Sequence, residues 1–285
     1  MGELMNKILR KTTTAIALLA SLIALPTMAD QEQMDKNALA DKAAKELANP
    51  NTALASLNFK FQYYGGYDDG GSSSTVLFQP SMPFPLDNGD KILFRPAIPF
   101  SMNYDKAGEY GDDSGFGDIS FDLAYAPKTE AGSIMAFGVF AQLPTGQEGF
   151  TADQFAVGPE MLLGKLSKER IFIFFPNHLW GVSNQSDNPN AKDINRTSVQ
   201  IGWVELLGNG WTVASSPTLS YDWNEDQAEI PLNFQVSKTV ILGNRPWKFG
   251  LEANYYIEKD ERTRPDFMIG LNITPVVENK LAGLF

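Results

Sequence analysis

Ionisable and amide side chains alternate with apolar side chains along several segments of this sequence. In WKFGLEANYYIE, residues 247–258, Lys248, Glu252 and Asn254 take alternate positions, and most positions between them carry large apolar side chains. Polar groups of this kind, brought to one surface, can select a solute by its charge and its hydrogen bonds. The candidate site residues identified in this way are Lys60, Arg95, Asp118, Asp122, Glu160, Gln200, Gln235, Lys248, Glu252 and Asn254.

Seven of these candidates are charged, three cations and four carboxylates, and the arrangement of the charges decides what they do. If the cations face the carboxylates across a narrow pore, the resulting transverse field selects small polar or amphiphilic solutes by size and dipole. If the charges instead neutralise one another and fill the interior, the same residues are purely structural. The sequence leaves both alternatives open. The charges concerned are Lys60, Arg95 and Lys248 against Asp122, Glu160 and Glu252.

Nucleophilic catalysis is not indicated by this sequence. His178 is the only histidine, and as a general base it needs a serine hydroxyl within hydrogen-bond reach. No such partner is apparent, and the adjacent Asn177 points to the opposite face of a regular strand. We therefore expect a packed or interfacial histidine and no enzymatic activity. The chain also lacks cysteine and a glycine-rich phosphate loop, so we predict no metal site and no cofactor.

A period of two residues is typical of β-strands, because successive side chains point to opposite faces. The pattern predicts twelve strands of mostly about ten residues, separated alternately by long polar loops and tight turns. Asn88–Gly89 and Asn209–Gly210 are strong hairpin signals, whereas SKTVILGNRP, residues 237–246, predicts a longer turn. The run at 171–182 is the least regular, and its faces stay unassigned. An up-and-down antiparallel sheet with two different ends follows.

The segment before the first strand predicts export. Residues 1–29 combine a short basic region, an apolar run and a small-residue cleavage motif, which is typical of a signal peptide. Residues 30–52 predict a short, weakly amphipathic periplasmic helix with Met34, Leu39, Ala43 and Leu47 at helical spacing, and a plug or partner-docking helix is the alternative. The remaining residues, 53–285, form one domain.

Alternation alone does not decide which face meets water. Strands of about ten residues match a tilted bilayer-spanning strand, and the polar faces carry Gly, Ser, Asn and Gln more than Lys and Glu. Trp211 and Tyr221 share one face ten residues apart, which is a vertical distance of roughly 25 Å at a tilt near 40°. These features favour an all-β transmembrane barrel with its apolar face towards lipid. The sheet must then close, because no strand edge can stay unpaired in hydrocarbon.

Several blocks of the chain resemble one known family. LASLNFKFQYY, LFQPSMPFPLDNGDKILFRPAIP, GDISFDLAY, IPLNFQVSKTVILGNRPWKFGLEANYYIE and MIGLNITPVV are similar to the bacterial outer-membrane β-barrel transporter family named for the MetA pathway of phenol degradation, some members of which carry the label neuromedin U. The blocks cover most of residues 50–277. The resemblance implies a barrel that acts as a channel for small, aromatic or otherwise hydrophobic, solutes. It supplies no catalytic or ligand residues.

The expected function is passive diffusion or uptake of small solutes across the outer membrane of a Gram-negative bacterium. The alternatives are a structural or adhesive barrel with a filled lumen and a soluble periplasmic ligand-binding β-protein. The expected partners are the lipid bilayer, surface lipopolysaccharide, the barrel insertion machinery and a small solute. Nucleic acid is not expected, because 23 Lys and Arg stand against 34 Asp and Glu and the net charge is −11. Terminal Phe285 is a possible insertion signal, although it lies beyond the expected last strand.

Overall fold

The protein is a closed antiparallel β-barrel of twelve spanning strands with one helix before it. The computed structural model describes residues 28–68, 70–106, 110–184, 193–261 and 263–284. Helix α1 spans Met28–Ala48, and a short 3₁₀ turn spans Lys280–Leu284. The strands are β1 (Ala55–Ser56 and Phe59–Gly65), β2 (Ser72–Phe78 and Met82–Pro85), β3 (Lys91–Lys106), β4 (Tyr110–Phe116 and Ser120–Ala126), β5 (Ser133–Gln142), β6 (Gln154–Leu166), β7 (Arg170–Asn184), β8 (Asn195–Gly208), β9 (Trp211–Ser215 and Thr218–Asp222), β10 (Gln227–Leu242), β11 (Arg245–Glu258) and β12 (Phe267–Val277).

Every strand pairs with its neighbours in sequence, and the last strand closes on the first. β12 pairs with β1 in antiparallel register from Phe267 opposite Gly65 to Ile273 opposite Phe59. β11 and β12 pair continuously from Trp247 opposite Pro275 to Tyr255 opposite Phe267. The ladder leaves no open sheet edge among the described strands. The predicted strand number, order and all-β fold class are therefore confirmed.

The side chains sort as the period of two requires, and the apolar set lies outside the barrel. On β11, Leu251 is 58% exposed, whereas Glu252 and Asn254 line the interior. Its neighbours in register, Val236 and Leu271, also face outwards, so the apolar face continues around the barrel. A soluble sandwich with its apolar face inwards does not fit this arrangement. Other exposed apolar side chains are Phe61, Leu123, Phe137, Met161, Phe172, Ile201, Leu232, Phe234, Tyr255 and Ile269.

The tight turns gather at one end of the barrel. Asn209 and Gly210 both have positive φ (52° and 76°), as a two-residue type I′ turn requires. The Asn88–Gly89 hairpin also forms, but there only Gly89 has positive φ. The longer turn expected within residues 237–246 is wrong. Gly243 and Asn244 (φ 54° and 66°) form a two-residue turn, because β10 continues through the apolar residues up to Leu242.

The second half of α1 packs into the tight-turn end of the barrel. Ala40, Ala43 and Ala44 are buried, and Leu47 lines the interior, so the packed face has the i, i+3, i+4, i+7 spacing of a helix. The backbone N–H of Gly210 donates to Asp41 Oδ1 at 2.5 Å, which attaches the helix to the β8–β9 turn.

The apolar face predicted for this helix is partly wrong. Met34 and Leu39 are 59% and 56% exposed, so the face that packs into the barrel begins at Ala40 and does not include them. No helix in the described ranges is long and apolar enough to cross a membrane. Residues 1–27 of the predicted signal peptide and Phe285 lie outside the described residues, so both predictions remain predictions.

Candidate functional site

Two of the cavities inside the barrel adjoin each other. The upper cavity, of about 580 Å³, lies towards the long loops and is lined mainly by amides, hydroxyls and charged groups. The lower cavity, of about 240 Å³, lies towards the tight turns, where the end of α1 contributes Leu47 and Ala48. A ring of polar residues borders both cavities and so marks the level at which they meet. Its members are Asn58, Lys60, Gln200, Lys248 and Thr274.

One ion pair crosses two neighbouring strands on the wall of the lower cavity. Arg95 on β3 stands opposite Asp122 on β4, and its Nε donates to Asp122 Oδ2 at 2.7 Å. Both side chains are largely shielded from water, with 32% and 13% of their surface exposed. The guanidinium also lies 5.4 Å from the ring centre of Phe175 on β7, where a cation–π contact is favourable. Arg95 is thus held by both a carboxylate and an aromatic face.

The two lysines of the ring do not pair with the predicted carboxylates. The ammonium groups of Lys60 and Lys248 make no hydrogen bond or ion pair with any described residue, although both side chains border the two cavities. Glu252 accepts instead from three amides. Its Oε1 receives Asn233 Nδ2 at 3.0 Å and Gln235 Nε2 at 3.4 Å, and its Oε2 receives Asn272 Nδ2 at 3.1 Å. Among these three cations and three carboxylates, Arg95 and Asp122 form an ion pair, whereas amides on neighbouring strands bind Glu252.

Glu160 is the most enclosed charged member of the predicted set. It is 4% exposed, and neither carboxylate oxygen has a hydrogen-bond partner among the described residues. Its strand position, opposite Gly138 on β5 and Asn177 on β7, turns the side chain into the barrel. Glu160 therefore contributes a carboxylate to the lower cavity wall without a fixed partner.

Asp118 accepts hydrogen bonds from the β5–β6 loop at the long-loop end of the barrel. Its Oδ1 accepts from the Gly146 N–H at 2.9 Å and from Thr151 Oγ1 at 2.7 Å, and its Oδ2 accepts from the Ala152 N–H at 2.8 Å and from Gln142 Nε2 at 3.1 Å. Four donors from the β5–β6 loop and its flanking strand thus occupy the carboxylate. The structure makes Asp118 an anchor of that loop, which the alternating pattern did not reveal.

The predicted amides form a connected network on the β10–β11 wall. Asn254 Oδ1 accepts from Asn233 Nδ2 at 2.6 Å, and Gln235 Nε2 donates to Asn233 Oδ1 at 3.1 Å. Gln200 stands on β8, separated from this network by β9, and borders both cavities. Gln200, Gln235 and Asn254 therefore line the same upper cavity.

Sequence reasoning missed three charged residues of the upper cavity. Arg264 Nε lies 3.1 Å from Glu229 Oε2, and Arg196 lines the same cavity. Arg196 is four residues from Gln200 on the inward face of β8, so the alternation contained a signal for it. Arg264 follows β11 in a loop, where no periodic signal exists.

Sequence reasoning also missed the apolar half of the lower cavity. Leu93, Leu162, Ile173 and Phe175 line it and adjoin a buried cluster that includes Ala136. At this end of the barrel both faces of a strand are apolar, so the period of two disappears. The unassigned run at 171–182 is the clearest example, because Ile173 and Phe175 face inwards while Phe172 and Phe174 face outwards.

His178 lies on the outer face, as expected for an interfacial histidine. Its Nδ1 is 2.7 Å from Thr197 Oγ1 and its Nε2 is 3.2 Å from Asn195 Oδ1. The indole of Trp223 donates to Thr197 Oγ1 at 2.8 Å, so that hydroxyl is already engaged. Asn177 lines the upper cavity on the opposite side of the strand. The expectation that the protein is not an enzyme stays a prediction.

A lysine outside the barrel wall ties down the β11–β12 loop. Lys259 Nζ is 2.6 Å from Glu261 Oε2, 3.1 Å from Asp266 Oδ1 and 3.2 Å from the carbonyl oxygen of Arg264. Burial alone would lower the pKa of Lys259, but the two carboxylates outweigh burial and raise the pKa above its ordinary value. The cationic form therefore holds the loop that carries Arg264 to the cavity mouth.

The fold of this chain is similar to that of several solved structures. No family model matches the chain, and no curated protein sequence matches it. The fold is similar to that of an outer membrane channel from Pseudomonas putida F1, with a TM-score of 0.61, 15% identity, and coverage of 79% of this chain and 95% of that one. It is also similar to the NanC porin, with a TM-score of 0.51, 12% identity, and coverage of 78% and 99%. At these identities the comparisons establish the twelve-stranded barrel fold alone.

Proposed function

We propose that this chain is an outer-membrane channel through which small solutes diffuse passively. The observation that carries the proposal is the adjoining pair of cavities inside a closed barrel. They share the ring containing Lys60, Gln200 and Lys248, so a polar path leads from the long-loop mouth towards the tight-turn end. A barrel filled by its own side chains would not leave about 580 Å³ of polar space above that ring.

The exterior supports a position in a membrane. Large apolar side chains such as Phe234 (57%) and Leu251 (58%) are exposed around the middle of the barrel, where lipid is the suitable solvent. Aromatic residues mark both ends. Trp211 lies under Lys238 near the tight turns, and Tyr221 packs on Trp223 towards the long loops. Such pairs match the aromatic girdles of a transmembrane barrel.

Three further supports concern location and family. The two solved structures similar in fold bear the descriptions outer membrane channel and porin. The quoted sequence blocks resemble the MetA-pathway family, and we include membership of that family, with small hydrophobic or aromatic solutes, in the proposal. The predicted signal peptide fits export. Lipopolysaccharide and the insertion machinery belong to the same proposal as partners.

Single-channel recording in planar bilayers tests the pore. We expect discrete conductance steps from the full chain. Gln200→Trp adds a bulky side chain at the ring between the cavities, so the conductance should fall several-fold. The matched control is Ile201→Trp, the next residue on β8, which faces outwards and should leave the conductance unchanged. A current indistinguishable from that of bare lipid contradicts the proposed function.

A further inference from the structure

The lower cavity has two walls of different chemistry. Its apolar wall contains Leu162, Ile173 and Phe175, and Leu47 of α1 closes the same space from the tight-turn end. Leu162 is 4% exposed and belongs to the buried cluster of the barrel interior, so this wall is firmly packed. A channel needs no such wall in order to pass water and inorganic ions. Covering the apolar surface of a small cavity with an apolar group of a ligand is favourable, because it removes that surface from water.

Unpaired cations stand at the top of this cavity. Lys60 on β1 and Lys248 on β11 flank β12, where their register partners are Asn272 and Thr274. Neither ammonium group has an ion-pair or hydrogen-bond partner among the described residues, whereas the third cation, Arg95, forms an ion pair with Asp122. Two donors at one level can bind the two oxygens of an anionic headgroup.

The balance of charge favours an anion over a cation. The lower cavity has three cationic and two acidic side chains, and both cavities together have five and four, so each count leaves one net positive charge. This contrasts with the whole chain, whose net charge is −11. Both carboxylates of the lower cavity, Asp122 and Glu160, stand on β4 and β6, whereas the two lysines stand on β1 and β11, and Asp122 is already paired with Arg95.

We propose that the lower cavity binds a small amphiphilic monoanion, with its carboxylate at Lys60 and Lys248 and its apolar body against Ile173, Phe175 and Leu47. The inference rests on the channel function, because it names the class of solute that the pore selects. A volume of about 240 Å³ lies below the range of roughly 300–1,000 Å³ typical of drug-sized ligands, so one ring or a short chain fits. Binding must be weak enough to release the solute.

Equilibrium dialysis of the detergent-solubilised full chain tests the site without requiring conduction. Benzoate carries both an aromatic ring and a carboxylate. Benzyl alcohol carries only the aromatic ring, acetate carries only the carboxylate, and benzylamine carries the aromatic ring with the opposite charge. We expect benzoate to bind about ten-fold more tightly than each of the other three, because only benzoate both pairs with the lysines and packs against the apolar wall. Equal affinity for benzoate and benzyl alcohol, or tighter binding of benzylamine, overturns the proposal.

Variants assign the two walls separately. The double variant Lys60→Met and Lys248→Met should weaken benzoate binding about ten-fold and leave benzyl alcohol binding unchanged. Ile173→Thr should weaken benzoate and leave acetate unchanged. Lys168→Met, in the exposed β6–β7 turn, is the matched control and should bind benzoate as the parent does. Heat-modifiable gel migration confirms that each variant forms a barrel before binding is measured. Unaltered benzoate affinity in the folded double variant contradicts the proposed site.

Current recordings separate this inference from the function on which it rests. Benzoate in the bath should block the open pore more often than benzyl alcohol at the same concentration. If the pore conducts but binds benzoate no better than benzyl alcohol, the channel function stands and the anion site is refuted. If the protein binds benzoate but never conducts, the anion site stands and the channel function is refuted.

Discussion

Replacing Leu251 by arginine measures whether the outer face meets lipid. Leu251 is the seventh of fourteen residues in β11 and is 58% exposed. At about 3.4 Å per residue and a tilt near 40°, it lies roughly 16 Å in height from the nearer strand end, close to the middle of an apolar band about 25 Å tall. An arginine at the midplane of a barrel costs about 2–4 kcal/mol, so Leu251→Arg should lower the free energy of unfolding by that amount.

The assay is equilibrium unfolding by guanidinium of the chain folded into lipid vesicles. Gln62→Arg is the matched control, because it introduces the same side chain on the lumen face of β1, where it meets water in the upper cavity. We expect that control to change the free energy of unfolding by less than about 1 kcal/mol. The reasoning is refuted if Leu251→Arg is neutral, or if Gln62→Arg is the more damaging of the two.

Three other predictions concern the ends of the barrel. Asp118→Ala removes the acceptor of four hydrogen bonds and should destabilise the β5–β6 loop by about 2–3 kcal/mol, seen as faster limited proteolysis of that loop in an intact barrel; equal cleavage rates would contradict this. Asp41→Ala removes the bond from Gly210 that attaches α1 and should raise the mean conductance, whereas Asp35→Ala on the exposed part of the helix should not; a fall would contradict a blocking helix. Because the folded-state pKa of Lys259 is raised, its stabilisation is complete below the ordinary value of 10.5 and is lost as pH rises through the folded-state value. Protease resistance of the β11–β12 loop should fall in that range for the parent and not for Lys259→Met.

The fold was predictable from the sequence because one face of most strands is apolar and the other is not. Leu251 and Glu252 illustrate this, since these neighbouring side chains point to opposite faces, the first to the outside of the barrel and the second to its lumen. The twelve strands and both hairpin turns at Asn88 and Asn209 follow from that pattern and from turn chemistry. The pattern failed at residues 171–182, where an apolar cavity wall removes the contrast between the two faces.

The site was only partly predictable, because a strand pattern gives the face of a residue and not its partner. Lys60, Arg95 and Lys248 all border the lower cavity, yet which of them pairs depends on register across strands far apart in sequence. Arg95 meets Asp122 because the β3–β4 register sets them opposite each other. Leu47 could not be assigned to the cavity, because nothing in a local helical pattern indicates where the helix docks.

The central claim is that the outer face of this barrel contacts lipid and that its lumen contains water. The chain has no cysteine, so single cysteines at positions 247 to 257 can each carry a spin label in vesicles. We expect oxygen, which partitions into lipid, to reach labels at Phe249, Leu251 and Tyr255, and a water-soluble nickel chelate to reach those at Gly250, Glu252 and Asn254. The opposite alternation, or none, would contradict the account.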